Sequence, residues 1–371
     1  MHQVLILGSG KIGRMIATLL SDAGDYRVRL GDVDRQSLDR LAGKATVETV
    51  VVDAADAASL ARAMDGCDSV LSALCYQFNP TVALEALEAG ASYFDLTEDV
   101  ETTRRVRAIA QEAGPRQIFM PQCGLAPGFI SIAAYHLTKS FDELDTVHMR
   151  VGALPQFPSN GMKYNLTWST DGLINEYCNL CESIYDGRRF DVLPLEGLEH
   201  FSLDGVRYEA FNTSGGLGTL CETLDGRVRN LNYKTVRYLG HQHLMDFLVH
   251  ELRLSERRDV LKDILERAVP ITFQDVVVTF TTVTGQREGE LVQVSDARKI
   301  YQQQIGGETW SAIQVTTAAE ICTVLDLHVA GQLPERGFVC QEQVDLNDFL
   351  ENRFGQFYRS DGATRFSKAE S

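Results

Sequence analysis

The sequence predicts an α/β protein in two parts. A doubly wound parallel sheet occupies the first third, and an α+β part with a mainly antiparallel sheet follows. Three observations predict this. Residues 4–7, Val-Leu-Ile-Leu, are an unbroken apolar run, followed by Gly8-Ser-Gly-Lys-Ile-Gly13 and by helical periodicity in Arg14-Met-Ile-Ala-Thr-Leu-Leu20. Apolar strands and helical stretches then alternate to about residue 124, as in a parallel sheet covered on both faces. From Thr146 onward the strands lengthen and alternate in polarity, with turn signals at Asp204-Gly205, Asp225-Gly226 and Gly306-Gly307. That is the pattern of antiparallel strands with one solvated face.

The elements are justified in order. After the first strand, Gly8 allows a tight turn, Gly10 lets backbone approach a pyrophosphate, and Gly13 lets the helix pack against the strand. The helix start offers unpaired N–H groups to phosphates. Lying between a strand and a helix, the loop is of the Rossmann type, so Gly8, Ser9, Gly10, Lys11, Ile12 and Gly13 are candidate cofactor contacts. The second strand, Tyr26-Arg-Val-Arg-Leu-Gly-Asp32, ends in an acid about 20 residues after the last glycine. Such an acid bonds ribose hydroxyls and repels a 2′-phosphate, which favours NAD; Arg35 nearby could instead pair with that phosphate. A cap or turn role is the alternative for Asp32.

Further strands read over 47–53, 68–74, 92–97 and 117–124, with helices over 56–65, 80–90 and 98–113. Asp53 closes the third strand and is placed to reach an adenine edge. Ligands of such sheets sit at the carboxyl ends of the strands. Ala73, Leu74, Asp95, Cys123 and Gly124 are therefore expected to ring the nicotinamide.

After Gly124 a helix is predicted from Leu125 to about Phe141, with Pro127 near its first turn. Strands read over 146–152, 206–211 and 276–283, and 172–185 reads as a helix carrying Cys178 and Cys181 on one face. The stretch Ala318–Ala330 is expected to return and pack on the first part. The domains are thus 1–125, NAD-binding, with a return of about 315–371, and 126–314, for substrate binding and oligomerisation. The polar tail after Tyr358 is expected to fray.

Composition excludes several function classes. The 371 residues carry a net charge of −16, which argues against nucleic acid or anionic lipid as partner. Hydrophobic residues at 44% and charged residues at 23% fit a globular chain. No apolar run approaches the ~20 residues of a membrane span. The chain enters a strand without a basic n-region or cleavage site, so a cytoplasmic location is expected. The eight cysteines lack the density of a disulfide scaffold. Cys178-Asn-Leu-Cys181 has no second pair, and His241-Gln-His243 has no evident third ligand, so no metal is expected.

Two later segments carry polar clusters. Phe211-Asn-Thr-Ser-Gly-Gly-Leu-Gly218 places Thr213 and Ser214 beside backbone N–H groups, a combination that can hold a carboxylate; a plain glycine-rich turn is the alternative. In Tyr233-Lys-Thr-Val-Arg-Tyr-Leu-Gly-His241, Lys234 and Val236 share one face and Arg237 takes the other. One cation then lines a cleft while the other is solvated.

With the Gly8–Gly13 loop, the segments Ala73-Leu-Cys-Tyr-Gln-Phe-Asn79, Gly124-Leu-Ala-Pro-Gly128, Glu209-Ala-Phe-Asn-Thr-Ser-Gly-Gly216 and Tyr233–His241 resemble the saccharopine dehydrogenase superfamily. Within it they look most like the lysine 6-dehydrogenase branch, in the same order to about Val344. The resemblance implies NAD-dependent oxidation of the ε-amine of L-lysine to allysine, with release of ammonia and NADH and cyclisation to piperideine-6-carboxylate. It also implies a homodimer or larger homo-oligomer and a small-molecule amine as partner. Asp95-Leu-Thr-Glu-Asp99 departs from the glycine- and histidine-containing turn of that branch, which leaves the amine open.

The chemistry asks for particular side chains. A hydride leaves a carbon bearing nitrogen only when the amine is neutral, yet a lysine side chain has a pKa of about 10.4. Desolvation or a general base supplies neutrality, and Asp95, Glu98 and His241 are the candidate bases. Arg237 offers a bidentate fork for a carboxylate that Lys234 cannot match. Thr213, Ser214, Tyr76 and Gln77 complete the candidate substrate contacts. The rival readings are a saccharopine-type or carboxynorspermidine-type dehydrogenase acting on a secondary amine, and a non-catalytic NAD-binding protein.

Overall fold

A computed structural model describes residues 1–39 and 47–359. The first half alternates β1 (His2–Leu7), α1 (Lys11–Ala23), β2 (Tyr26–Asp32), α2 (Arg35–Asp39), β3 (Val47–Val51) and α3 (Ala57–Met64). It continues through β4 (Ser69–Ser72), α4 (Asn79–Ala89), β5 (Ser92–Asp95), α5 (Val100–Ile109), β6 (Ile118–Met120) and α6 (Phe129–Thr138). Then come β7 (Glu143–Pro155), α7 (Thr170–Cys178), β8 (Cys181–Tyr185), β9 (Arg188–Val192), β10 (Glu199–Leu203), β11 (Val206–Asn212) and α8 (Leu220–Thr223). The rest is β12 (Val228–Tyr238), α9 (His241–Asp246), α10 (Arg258–Ala268), β13 (Asp275–Arg287), β14 (Glu290–Tyr301), β15 (Gln303–Ile305), β16 (Glu308–Trp310), α11 (Ala312–Val329), β17 (Gly337–Phe338) and α12 (Leu346–Glu351).

The first sheet has the order β17-β6-β5-β4-β1-β2-β3, with every pair parallel. Its middle strands have apolar centres because both faces are covered: Val4, Leu5, Ile6, Leu7, Val70 and Leu71 are all buried. The second sheet runs β10-β11-β12-β7-β13-β14, with the β8–β9 hairpin attached to β12. Its pairs are antiparallel except β12 with β7. This is the doubly wound sheet plus mainly antiparallel sheet that the sequence predicts.

Helix α11 packs on α1, and its start is tied to the second sheet. The carboxylate of Asp275, the first residue of β13, accepts hydrogen bonds from the Ala312 and Ile313 N–H groups. Ser311 closes a capping box with Gln314. With β17 at the edge of the first sheet, residues after 311 thus bridge both sheets. Residues 360–371, and with them most of the tail expected to fray, lie outside the described residues.

Two predicted elements differ. Pro127 follows a cis bond and stands before α6 rather than in its first turn. The stretch 172–185 is not one helix: α7 ends at Cys178 and β8 starts at Cys181. β-branched Ile184 and the Asp186-Gly187 turn, both at positive φ, favour a hairpin there. Both thiols are free, and no group of metal-ligating side chains occurs among the described residues. No helix among them is long and apolar enough to cross a membrane.

Candidate functional site

One cleft of about 420 Å³ lies where the carboxyl ends of the first sheet face the second sheet. The first sheet contributes Gly10, Lys11, Ile12 and Gly13 from the glycine loop, Ala73, Leu74, Cys75 and Tyr76 after β4, Leu96, Thr97 and Glu98 after β5, and Gly124 after β6. The opposite wall holds Tyr233, Thr235 and Arg237 of β12, Glu176 of α7, and Thr167, Trp168 and Ser169 of the preceding loop.

The loop fits a dinucleotide. Gly8 has φ +100, and a Cβ there would meet the Ala73 carbonyl oxygen at 2.8 Å; a Cβ on Gly13 would sit 1.8 Å from the Gly8 oxygen. Those two glycines close the turn, whereas a Cβ on Gly10 would meet nothing within 4 Å. That open space, at the start of a 13-residue helix, is where a pyrophosphate would be held. Asp32 accepts hydrogen bonds from the Ser9 N–H at 2.6 Å, the Ser9 hydroxyl at 2.7 Å and the Asp34 N–H. Burial pushes its carboxyl up, but those donors outweigh it and hold the group below the ordinary value. Asp53 is exposed beyond β3 and accepts from the Ala55 N–H.

Arg237 is buried on the opposite wall. Its Nε donates to the Tyr177 hydroxyl at 3.0 Å and its Nη1 to the Val236 carbonyl at 2.9 Å, while its Nη2 stands 3.8 Å from Glu176 Oε2. No hydrogen-bond partner reaches that Glu176 oxygen. Burial pushes the Glu176 carboxyl up to about 7, with Arg237 opposing and Glu98 adding to the rise. Glu98 is half-buried, and burial, reinforced by Asp99 and Asp95, lifts it to about 7 as well. Two carboxyls poised near neutrality and one fixed guanidinium therefore share the cleft.

Several predicted site residues fall elsewhere. Asp95 is fully buried beneath the cleft, accepting from the Tyr93 hydroxyl and from the Thr97 and Gln122 N–H groups. It braces the loop carrying Glu98 and is not a base within reach of a substrate. Cys123 is buried too, with its thiol on the Met120 carbonyl. Lys234 lies on the far face of β12, donating to the Gly197 carbonyl and paired with Glu199 at 3.3 Å. The alternation of β12 puts Arg237 in the cleft and Lys234 outside it. His241 is buried behind Arg237, bonded to Tyr177 and Met162 and pushed down to about 3 by burial and by the Arg237 charge.

Gln77 is exposed, and only its neighbour Tyr76 reaches the cleft wall. Thr213 and Ser214 line a smaller adjoining cavity that shares Glu98 with the main one. Thr213 bonds Thr235, and Ser214 donates to the Asn175 carbonyl, so both brace the cleft wall. Glu176 and Tyr177 were not singled out from the sequence. The available signal was an acid set within the otherwise apolar face of Leu173, Ile174 and Tyr177.

The architecture is that of the two-part, nucleotide-dependent dehydrogenases, with a dinucleotide half and a polar half facing each other across one cleft. Within that class the chain belongs to the saccharopine dehydrogenase family. Residues 4–118 match the model of the saccharopine dehydrogenase NADP binding domain, and residues 124–357 that of the saccharopine dehydrogenase C-terminal domain. A curated relative, the NADP(+), L-glutamate-forming saccharopine dehydrogenase of Saccharomyces cerevisiae, is 25% identical over 202 residues, which is 50% of this chain and 42% of the yeast protein. The solved structure of the L-Glu-forming enzyme from the same yeast superposes with TM-score 0.76 at 17% identity, covering 94% of this chain and 96% of that one. The homospermidine synthase of Legionella pneumophila, in complex with NAD, superposes with TM-score 0.67 at 13% identity over 96% of this chain and 89% of that one. The cofactor class these findings support is a pyridine nucleotide.

Proposed function

We propose that the chain is an NAD-dependent dehydrogenase oxidising the carbon that bears the ε-amine of L-lysine, yielding allysine and ammonia. The observation that carries this reading is the charge set of the cleft: Glu98 and Glu176 stand with one buried guanidinium, Arg237. That set suits a substrate with one carboxylate and two amines. The Nη2 end of Arg237, free of any close partner but Glu176, offers the carboxylate site. Glu176 beside it suits an α-ammonium group. Glu98, raised to about 7, is the candidate base for the reacting amine.

A pyridine nucleotide, when bound, would supply the hydride acceptor for the substrate carbon. Gly10–Gly13 and Asp32 would hold it, and the acid at the end of β2 favours NAD over a 2′-phosphorylated nucleotide. Glu98 takes the proton that leaves the ammonium group neutral. Loss of the hydride leaves an iminium. Once Glu98 has released its first proton to solvent, it takes a second from the water that adds and passes it to the nitrogen. The nitrogen leaves as ammonia as the new C–OH loses its proton and becomes the aldehyde. Apolar Leu74, Leu96 and Leu125 on the cleft wall exclude bulk water and favour the uncharged amine.

The second reading is a saccharopine-type dehydrogenase acting on a secondary amine, which the names of the family models and of the yeast relative favour. Saccharopine carries three carboxylates, whereas the cleft wall offers Lys11, on the nucleotide side, and Arg237 as cations among the described residues. Nucleotide reduction measured across L-lysine, ornithine, saccharopine and diamines, each with NAD and NADP at alkaline pH, tests the proposal. Lysine turnover with NAD and ammonia release is expected. Turnover of saccharopine with lysine inert would move the function to the secondary-amine branch.

A further inference from the structure

We propose that Tyr177 and His241 are positioning residues for Arg237. A one-way hydrogen-bond relay runs from the Arg237 Nε–H to Tyr177, from Tyr177 to His241, and from His241 to the Met162 carbonyl. It fixes the guanidinium and ties it to the connection that leads to the cleft-wall residues Thr167, Trp168 and Ser169. The proposal rests on the reading of Arg237 as the carboxylate site.

Each bond's direction follows from its far end. The Met162 carbonyl can only accept, so the His241 nitrogen 2.8 Å from it, Nδ1, carries a proton. At the other end Arg237 Nε can only donate, so the Tyr177 oxygen 3.0 Å away accepts from it. Between them Tyr177 and His241 Nε2 lie 3.1 Å apart. With His241 neutral, Nε2 is an acceptor and takes the tyrosine proton, leaving every group satisfied. A protonated His241 would donate at Nε2, strip the Tyr177 proton of its acceptor and bring a second cation against Arg237. Burial and the Arg237 charge indeed hold His241 neutral, at about 3.

The relay is braced at every joint. His241 stacks on Phe211, with ring centroids 6.3 Å apart and planes 10° apart, and meets Tyr164 edge-on at 5.3 Å. Tyr164 in turn lies under the guanidinium, 4.8 Å from its carbon. The backbone beside His241 is pinned by buried Glu209, whose carboxylate accepts from the Gly240 N–H at 2.7 Å and the Gln242 N–H at 2.6 Å. Met162 belongs to the connection that leads to Thr167, Trp168 and Ser169 on the cleft wall. With Nε and one Nη1 proton committed, the guanidinium cannot spin, and its Nη2 edge is what the cleft sees.

The test begins on the unaltered protein. In ¹⁵N-histidine NMR, the resonance lost in His241→Gln is expected to be the neutral Nδ1–H tautomer and to stay untitrated down to the pH where the fold opens. An Nε2–H tautomer, or titration near the ordinary value of about 6.5, would overturn the relay. In Tyr177→Phe the Arg237 Nε proton should lose its protection from exchange. The KM for lysine should rise roughly tenfold, the loss of one hydrogen bond to a charged group, with the nucleotide KM and kcat unmoved. His241→Gln, which can both accept and donate, should hold KM within about threefold of the parent, while His241→Leu should match Tyr177→Phe. A folded Tyr177→Phe protein with unchanged lysine KM and a still-protected Nε proton sinks the proposal. If lysine is no substrate, the reading of function falls and the two NMR measurements still decide the relay.

Discussion

At the scale of single residues, the cleft turns on which acid can change its protonation near neutrality. Glu98 and Glu176 are both raised to about 7, against about 4.3 for a free glutamate. A base works only when deprotonated, so kcat should climb with pH through about 7 and level above it. Glu98→Gln should abolish that limb and lower kcat by roughly 10²-fold or more; a pH–rate profile of the variant with the limb intact would remove Glu98 from the chemistry. The two cations of β12 give a contrasting pair. Arg237→Ala should raise the lysine KM by about tenfold or more, because the fork faces the cleft. Lys234→Ala should leave that KM alone and cost roughly 1–3 kcal/mol of stability, since it strips a partner from Glu199 while Arg150 still pairs with it. Equal KM effects in the two variants would contradict the strand's facing. The alternation of β12 was readable in the sequence. Which face met the cleft was not, because that depends on the partner sheet.

At the scale of elements, the glycine loop and α1 separate two uses of glycine. Gly13 sits under the Gly8 carbonyl, so an added methyl must push backbone aside, while Gly10 faces open space with ordinary φ. Gly13→Ala should lose roughly 1–3 kcal/mol or more in chemical denaturation. Gly10→Ala should keep the parent stability and weaken nucleotide binding in a titration. Unaltered nucleotide affinity in Gly10→Ala would mean that no pyrophosphate approaches there. The loop was legible because its three glycines answer to local geometry within about 20 residues. The 172–185 segment was not. Its apolar spacing suits a helix as well as a buried strand, and only pairing of β8 with β12 and β9, far along the chain, decides the matter. Glu176, which α7 turns into the cleft, and Tyr177 behind Arg237 are likewise fixed by contacts distant in sequence. So are the buried positions of Asp95 and His241, whose partners lie 27 residues away at Gln122 and 64 away at Tyr177.

At the scale of the whole molecule, charge is divided between the two ends of the cleft. The chain carries −16 overall, and the substrate end of the cleft gathers Glu98, from the loop after β5, with Glu176 and Asp171 of the facing wall around one guanidinium. The nucleotide end instead presents Lys11 and the positive end of α1. Such a field concentrates a cationic amino acid and disfavours an anionic nucleotide until local donors capture it. Raising ionic strength shortens the screening length from about 30 Å at 0.01 M to about 8 Å at 0.15 M, which removes the long-range part and spares contacts inside the cleft. The apparent KM for lysine should therefore rise about two- to threefold over that range, while the KM for NAD holds or falls. An uncharged amine of similar size should show no trend, which separates the field from any effect of salt on the fold. Initial rates at matched pH decide it: a lysine KM that falls with salt would mean that the group recognised is the carboxylate alone, with Glu98 and Glu176 both protonated in the working enzyme.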